Sequence, residues 1–270
     1  MTENTDKKSD KFVIVQATDL LPDADATMAH GLAIARRTGG QLITLHVNDK
    51  PADEPLSDPE KMLIELAKKE LEIDHHTVVC RIDEKPTKGL LKSIEGNKTD
   101  LLIMGTRQQR GDSKNSRKSV TETAALDASM PTLVVHVGQR GLVNDEGAIE
   151  LDHVLLPVGD GEEARDAIRG LTKLLDRLQI DDIDITLLRI GDDEILEYLT
   201  IPERDGWRWH RETRKGFVSN TIAEICEAKD IDLITMSTRG QDGIIDVFSG
   251  THTQKVIRRA PCPLLVIPMT

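Results

Sequence analysis

Between Asp232 and Thr253 a short apolar run, Leu233 to Met236, meets a loop punctuated by Gly240 and Gly243 and then a helix-like segment that opens at Gly250-Thr251 and stops before Pro261. That order reads strand, loop, helix. Such a loop aims backbone N–H groups at one spot. With the Thr251 hydroxyl and the partly positive end of the helix, those donors favour a phosphate. The loop lacks the Gly-Lys-Ser/Thr of a Walker A motif and the Gly-x-Gly-x-x-Gly of dinucleotide folds. A glycine-containing turn after a strand is also the ordinary joint of an α/β unit, so spacing alone does not decide between a joint and a site.

Other chemistry-bearing groups read more simply as structure. His75, His76 and Cys80 have metal-like spacing, but on a strand 76 and 80 share a face that 75 does not, and no fourth ligand is near. No metal site is expected. Trp207 and Trp209 share one face of a strand and suit core cover better than base stacking. The carboxylates of Asp181, Asp182, Asp184, Asp192 and Asp193 flank a strand and form a solvated rim.

The elements that must position these groups repeat. With 47 acidic against 35 basic residues and a net charge of −12, the chain is unsuited to nucleic acid and to anionic membrane. The same acidity means a polyphosphate needs local donors or a divalent cation; Arg239 and the loop amides are nearest. Three scattered cysteines fit free thiols in a reducing cytoplasm, and no run is long and apolar enough to cross a bilayer. Residues 1 to 11 are polar and read as a frayed tail. Strands at Phe12–Val15, Leu42–Val47, Thr77–Ile82, Asp100–Met104 and Pro131–Val137 alternate with helices at Asp25–Arg37, Pro59–Leu71, Thr87–Glu95 and Ser119–Ala128, which implies a parallel sheet covered on both faces. Then the pattern recurs. Asp100-Leu-Leu-Ile-Met-Gly-Thr-Arg107 returns as Asp232-Leu-Ile-Thr-Met-Ser-Thr-Arg239, and Pro131-Thr-Leu-Val-Val135 as Pro263-Leu-Leu-Val-Ile267, both 132 positions on; the first helix matches 140 positions on. The second copy has therefore lost residues between its second and fourth strands, around Asp193 to Leu199. A polar linker, Gly138 to Glu150, separates the copies.

These segments, with Ala260-Pro-Cys-Pro, resemble the universal stress protein family in its tandem form, over nearly all of the chain past the tail. The resemblance implies two α/β domains, 1–140 and 150–270, each a five-stranded mostly parallel sheet flanked by helices. They would associate through their last strands, Thr132–Val137 and Leu264–Ile267, as a pseudo-dimer within one chain; further homodimerisation stays open. Nucleotide-binding members carry Gly, two residues, Gly, nine residues, then Gly-Ser/Thr. Here that pattern falls on Ser237, Gly240 and Gly250-Thr251, with serine for the first glycine. In the first copy Gly105, Gln108 and Lys118-Ser119 stand there, although Asp19 keeps the family's acidic residue at the end of the first strand. In the second copy Gly159 replaces that aspartate, with Asp160 beside it as a substitute. The resemblance thus implies an adenine nucleotide, ATP or AMP, in the second domain, its base near Pro157, Gly159 and Ile190 and its phosphates over Met236, Ser237, Gly240, Gly250, Thr251 and His252. Magnesium is expected only with ATP. The expected role is a cytoplasmic, non-enzymatic stress-response regulator acting on an unidentified protein partner, with no catalytic residues. Two readings stand beside it: a slow ATP hydrolase or autophosphorylating protein using Ser237, Ser249 or Thr251, and a scaffold that binds no nucleotide.

Overall fold

The computed structural model describes residues 11–21, 25–48, 54–68, 73–81, 86–95, 98–107, 119–191, 195–239 and 250–269. Two runs of alternating strand and helix follow one another. The first comprises β1 (Val13–Thr18), α1 (Asp25–Thr38), β2 (Gln41–Asn48), α2 (Asp58–Ala67), β3 (Asp74–Arg81), α3 (Pro86–Glu95), β4 (Leu101–Thr106), α4 (Val120–Asp127) and β5 (Thr132–His136). The second comprises β6 (His153–Val158), α5 (Gly161–Leu178), β7 (Ile183–Ile190), β8 (Trp207–Arg214), α6 (Val218–Ala228), β9 (Leu233–Thr238), α7 (Gly250–Arg259) and β10 (Leu264–Pro268). At the place corresponding to α2, the described residues of the second run hold a 3₁₀ turn, Ile195–Tyr198.

All ten strands join one sheet in the order β3-β2-β1-β4-β5-β10-β9-β6-β7-β8. Pairing is parallel within each half and antiparallel only where β5 meets β10, with Leu133 opposite Leu265. The expected pairing of last strands is therefore present. Alternation along these two strands sends Leu133, Val135, Leu265 and Ile267 into one core layer and Val134, Leu264 and Val266 into the other. Burial on both faces explains why the central strands read as continuous apolar runs.

Across the junction α1 meets α5 and α4 meets α7. Helix α5 is fixed at its start by Asp160, whose Oδ1 accepts the amides of Glu162 and Glu163 at 2.9 and 2.8 Å. At its middle, a Cβ on Gly170 would lie 2.6 Å from Ile267 Cδ1, so glycine there lets the helix sit down on β10. The linker is more than a polar spacer. Asn144 Oδ1 accepts the amides of Glu146 and Ala148, both at 3.0 Å, and the turn so made inserts Leu142, 2% exposed, beneath α1. There the Leu142 amide donates to His30 Nε2 at 2.9 Å, while His30 Nδ1 bonds the Ala26 carbonyl at 2.6 Å. The second bond needs a proton on Nδ1, and the first needs a lone pair on Nε2, so the ring is neutral.

The remaining expectations on structural residues resolve locally. Trp207 is buried with its Nε1 donating to the Ile180 carbonyl, and Trp209 packs beside it with ring centres 6.5 Å apart. His75 turns inward to the Thr44 hydroxyl and His76 turns to Asp74, on opposite faces of β3. In the acidic rim Arg208 bridges Asp182 and Asp184, and its guanidinium, with His210, holds the Asp184 carboxyl at about 2; Asp192 and Asp193 lie outside the described residues. Cys226 and Cys262 are free and buried. No helix among the described residues is long and apolar enough to cross a membrane.

Polar contacts tie the halves together, two of them at α7. Arg258 on α7 binds Glu122 on α4 through two bonds of 2.7 and 2.9 Å, and His136 Nε2 meets the Ile257 carbonyl at 2.6 Å. Glu122 is only 2% exposed, so removing its cation leaves a buried charge unpaired. Arg258→Ala is expected to lower stability by about 3–5 kcal/mol in urea denaturation, and Glu122→Gln with Arg258→Met to recover part of that loss. Burial holds His30 and His136 below the ordinary value of 6.5. The unfolded chain then takes up these protons first, so their contribution is complete above about pH 6.5 and declines as pH falls from there toward the folded values. The unfolding free energy from urea denaturation should fall from pH 7.5 to pH 5, by up to about 1.4 kcal/mol per pH unit for each histidine. In His30→Gln the slope should be shallower.

Candidate ligand crevices at the strand carboxyl ends

In a doubly wound half the chain leaves the central strands in opposite directions, and the parting opens a crevice at their carboxyl ends. In the first half this lies between β1 and β4. It is a cavity of about 640 Å³, with an apolar wall including Leu45, Leu90 and Met104 and a polar rim including Asp19, Ser119 and Thr121. Ser119 caps α4 by accepting the Glu122 amide at 3.0 Å, and the Thr121 hydroxyl donates to the Gly105 carbonyl at 2.7 Å, so both hydroxyls serve the turn. Asp19, at the family's acidic position, pairs with Arg107 across the mouth at 2.9 Å.

The second half repeats the frame with other side chains. Opposed pairs fix the correspondence: Val13 with Gln41 in the first half answers His153 with Asp184 in the second, and Thr18 with His46 answers Val158 with Arg189. Thus Gly159 answers Asp19, Arg189 answers His46, and Gly191 answers Asn48. Asp160, the sequence's substitute for the missing aspartate, is committed elsewhere. Its Oδ1 caps α5 and its Oδ2 pairs with Arg239. Arg239, offered above as a phosphate donor, therefore already holds a carboxylate, as Arg107 does in the first half.

Of the residues assigned to a nucleotide, Pro157, Gly159, Ile190, Met236 and Ser237 are all buried and all lie at the carboxyl ends of β6, β7 and β9. The fold brings these five together. Gly250, Thr251 and His252 form the first turn of α7. Gly240 lies outside the described residues, as do the side chains of Thr251 and His252. Ser237, at the first glycine position, donates its hydroxyl to the Glu163 carbonyl at 2.8 Å. That side chain is turned into α5.

Sequence reasoning missed Arg189. It is 9% exposed, and its Nη1 donates to the Val158 carbonyl at 3.1 Å and to the Gly159 carbonyl. His46 makes the matching contact in the first half, Nδ1 to the Thr18 carbonyl at 2.9 Å. The available signal was a lone arginine inside the apolar run Ile185-Thr-Leu-Leu-Arg-Ile190, where a charge must find buried partners.

Comparison with known proteins agrees with this frame. A profile described as the universal stress protein family matches residues 13–136 and 198–268, more than half of the chain. Universal stress protein MJ0531 of Methanocaldococcus jannaschii is 34% identical over 77 residues, which are 28% of this chain and 45% of that one. Universal stress protein Sll1654 of Synechocystis is 27% identical over 142 residues, 45% of this chain and 88% of that one. The match thus spans under half the length of the first relative. A crystal structure of a universal stress protein from Archaeoglobus fulgidus superposes with a TM-score of 0.66 at 19% identity, covering 96% of this chain and 98% of that one, a likeness of fold. The chain belongs to the universal stress protein family.

Proposed function

We propose that this chain is a non-enzymatic regulatory protein that binds an adenine nucleotide, ATP or AMP, in its second half and signals through the shape it then presents to a protein partner. The base end is formed by Pro157, Gly159 and Ile190, and the phosphate end by Met236, Ser237, Gly240, Gly250, Thr251 and His252, with magnesium joining only beside ATP. The observation that carries the reading is the orientation of Ser237. Its hydroxyl is spent on the Glu163 carbonyl within the protein, so the serine that replaces the first glycine turns its side chain into α5. The start of α7 at Gly250 adds amides without intrahelical partners and the positive end of a helix dipole. The buried, hydrogen-bonded Ser237 hydroxyl is correspondingly a poor nucleophile, which weighs against autophosphorylation there.

The first half supports a second reading, because its crevice is a formed cavity of about 640 Å³, a size suited to a small organic ligand, and it retains Asp19.

Calorimetry with ATP and AMP, with and without magnesium, separates the two. On the main reading binding is lost in Gly250→Arg and kept in Val120→Trp, which fills the first-half mouth; on the second reading the losses are exchanged. Absence of binding by the wild-type chain overturns both. Over a long incubation ATP should stay intact by chromatography, and steady turnover would restore the hydrolase reading.

A further inference from the structure

Beyond the loop residues, the two crevices differ at three positions at the ends of the first two strands of each half. At the strand ends the first half has Asp19, His46 and Asn48; the second has Gly159, Arg189 and Gly191. Two side chains are removed and the one between them is enlarged. The guanidinium lies between the two glycine positions, and Gly191 has φ +151°, a backbone that favours glycine there. On one side Nη1 bonds the carbonyls of Val158 and Gly159. On the other, a Cβ on Gly191 would stand 3.5 Å from Arg189 Nε and 3.7 Å from Cζ, so the side chain already fills that flank to van der Waals contact. A charged group 9% exposed is held there by its carbonyl partners, since burial without them carries a heavy desolvation penalty.

Carbonyls at the carboxyl ends of the central strands are the floor on which a ligand in such a crevice rests. In the second half that floor is covered by the protein's own cation, whereas in the first half the smaller imidazole of His46 leaves the 640 Å³ cavity open beside it. The geometry points to Arg189 as a resident gate: its guanidinium occupies the base end of the second-half crevice, and a nucleotide enters only by displacing it. This deepens the reading above and rests on it. Occupancy by ligand and by guanidinium are mutually exclusive, so the affinity observed is the intrinsic one reduced by the fraction of chains in which the arginine has swung away.

The test is calorimetric titration of ATP into the full chain and into Arg189→His and Arg189→Leu. The histidine variant places there the residue type the first half has at 46, so it reports even if leucine disturbs the fold, which circular dichroism checks. Both variants should bind ATP at least about tenfold more tightly than wild type, and the gain should vanish when Gly250→Arg is added. Equal affinity in wild type and variants, with Gly250→Arg still abolishing binding, overturns the gate and leaves the nucleotide reading standing. A gain that survives Gly250→Arg places the ligand outside the second-half crevice and also overturns the gate. No binding by wild type or variants removes both.

Discussion

The structure depends on one contact, the antiparallel pairing of β5 with β10 about Leu133 and Leu265. Alone, each half would end in an apolar edge strand with its main-chain donors and acceptors unpaired, a surface prone to uncontrolled association. Pairing the two edges satisfies both at once and fuses two five-stranded sheets into one. It also fixes everything stacked on the sheet. Leu133 and Leu265 face the same core layer, so α1 and α5 are drawn together over it, while α4 and α7 meet over the layer that holds Val134, Leu264 and Val266.

That frame has approximate two-fold symmetry, yet the bonds that lock it do not. His136 reaches the Ile257 carbonyl, but the residue 132 positions beyond His136 is Pro268, which offers no such donor. Glu122 binds Arg258, but the mirrored pair is Gln254 and Leu126. The linker likewise packs under α1 through Leu142 and His30, and Arg140 ties it to Asp230 and Asp232 at the foot of β9. The matching region beneath α5 is an open cleft of about 670 Å³ bordered by Phe12, Asp100 and Lys173. The fastenings therefore differ on the two sides, and at α5 they are the Arg37 bonds to the Leu178 and Gln179 carbonyls and the Arg177 guanidinium over the Phe12 ring. Because the acidic member of the cross-helix pair is so deeply buried, these fastenings fix register more than they add net stability.

The repeat made the architecture legible. A common displacement of 132 positions located four strands, and apolar alternation with glycine and proline punctuation located the rest. The first helix, expected at Asp25–Arg37, runs Asp25–Thr38. Edges were harder. The third strand was expected at Thr77–Ile82 and runs Asp74–Arg81, because an edge strand buries little and so carries weak alternation. Helix α2 starts a residue earlier than expected and stops by Ala67, its start fixed when the Glu60 carboxylate accepts both the amide and the hydroxyl of Ser57. At the site, glycine spacing named the loop, since backbone freedom is written in residue type. The positions of Asp160, Ser237 and Arg189 were not so written. Each side chain is spent on a carbonyl, an amide or an ion pair from another element, and such partners appear only when the chain is folded.

Tandem fusion supplies the reason the crevices could diverge. In a symmetric homodimer any change at one site is made at both, so a strand-end arginine that covers one crevice would cover its twin. Within one polypeptide the two halves share a sheet but not a sequence. The second could exchange Asp19, His46 and Asn48 for Gly159, Arg189 and Gly191 while the first kept its cavity. In the first half Asn48 turns to Glu60 and Asp19 to Arg107, whereas in the second the arginine takes the carbonyls of Val158 and Gly159. The opposed pairs of β6 and β7 keep the register of β1 and β2 through these changes, so one sheet carries a differently furnished crevice in each half.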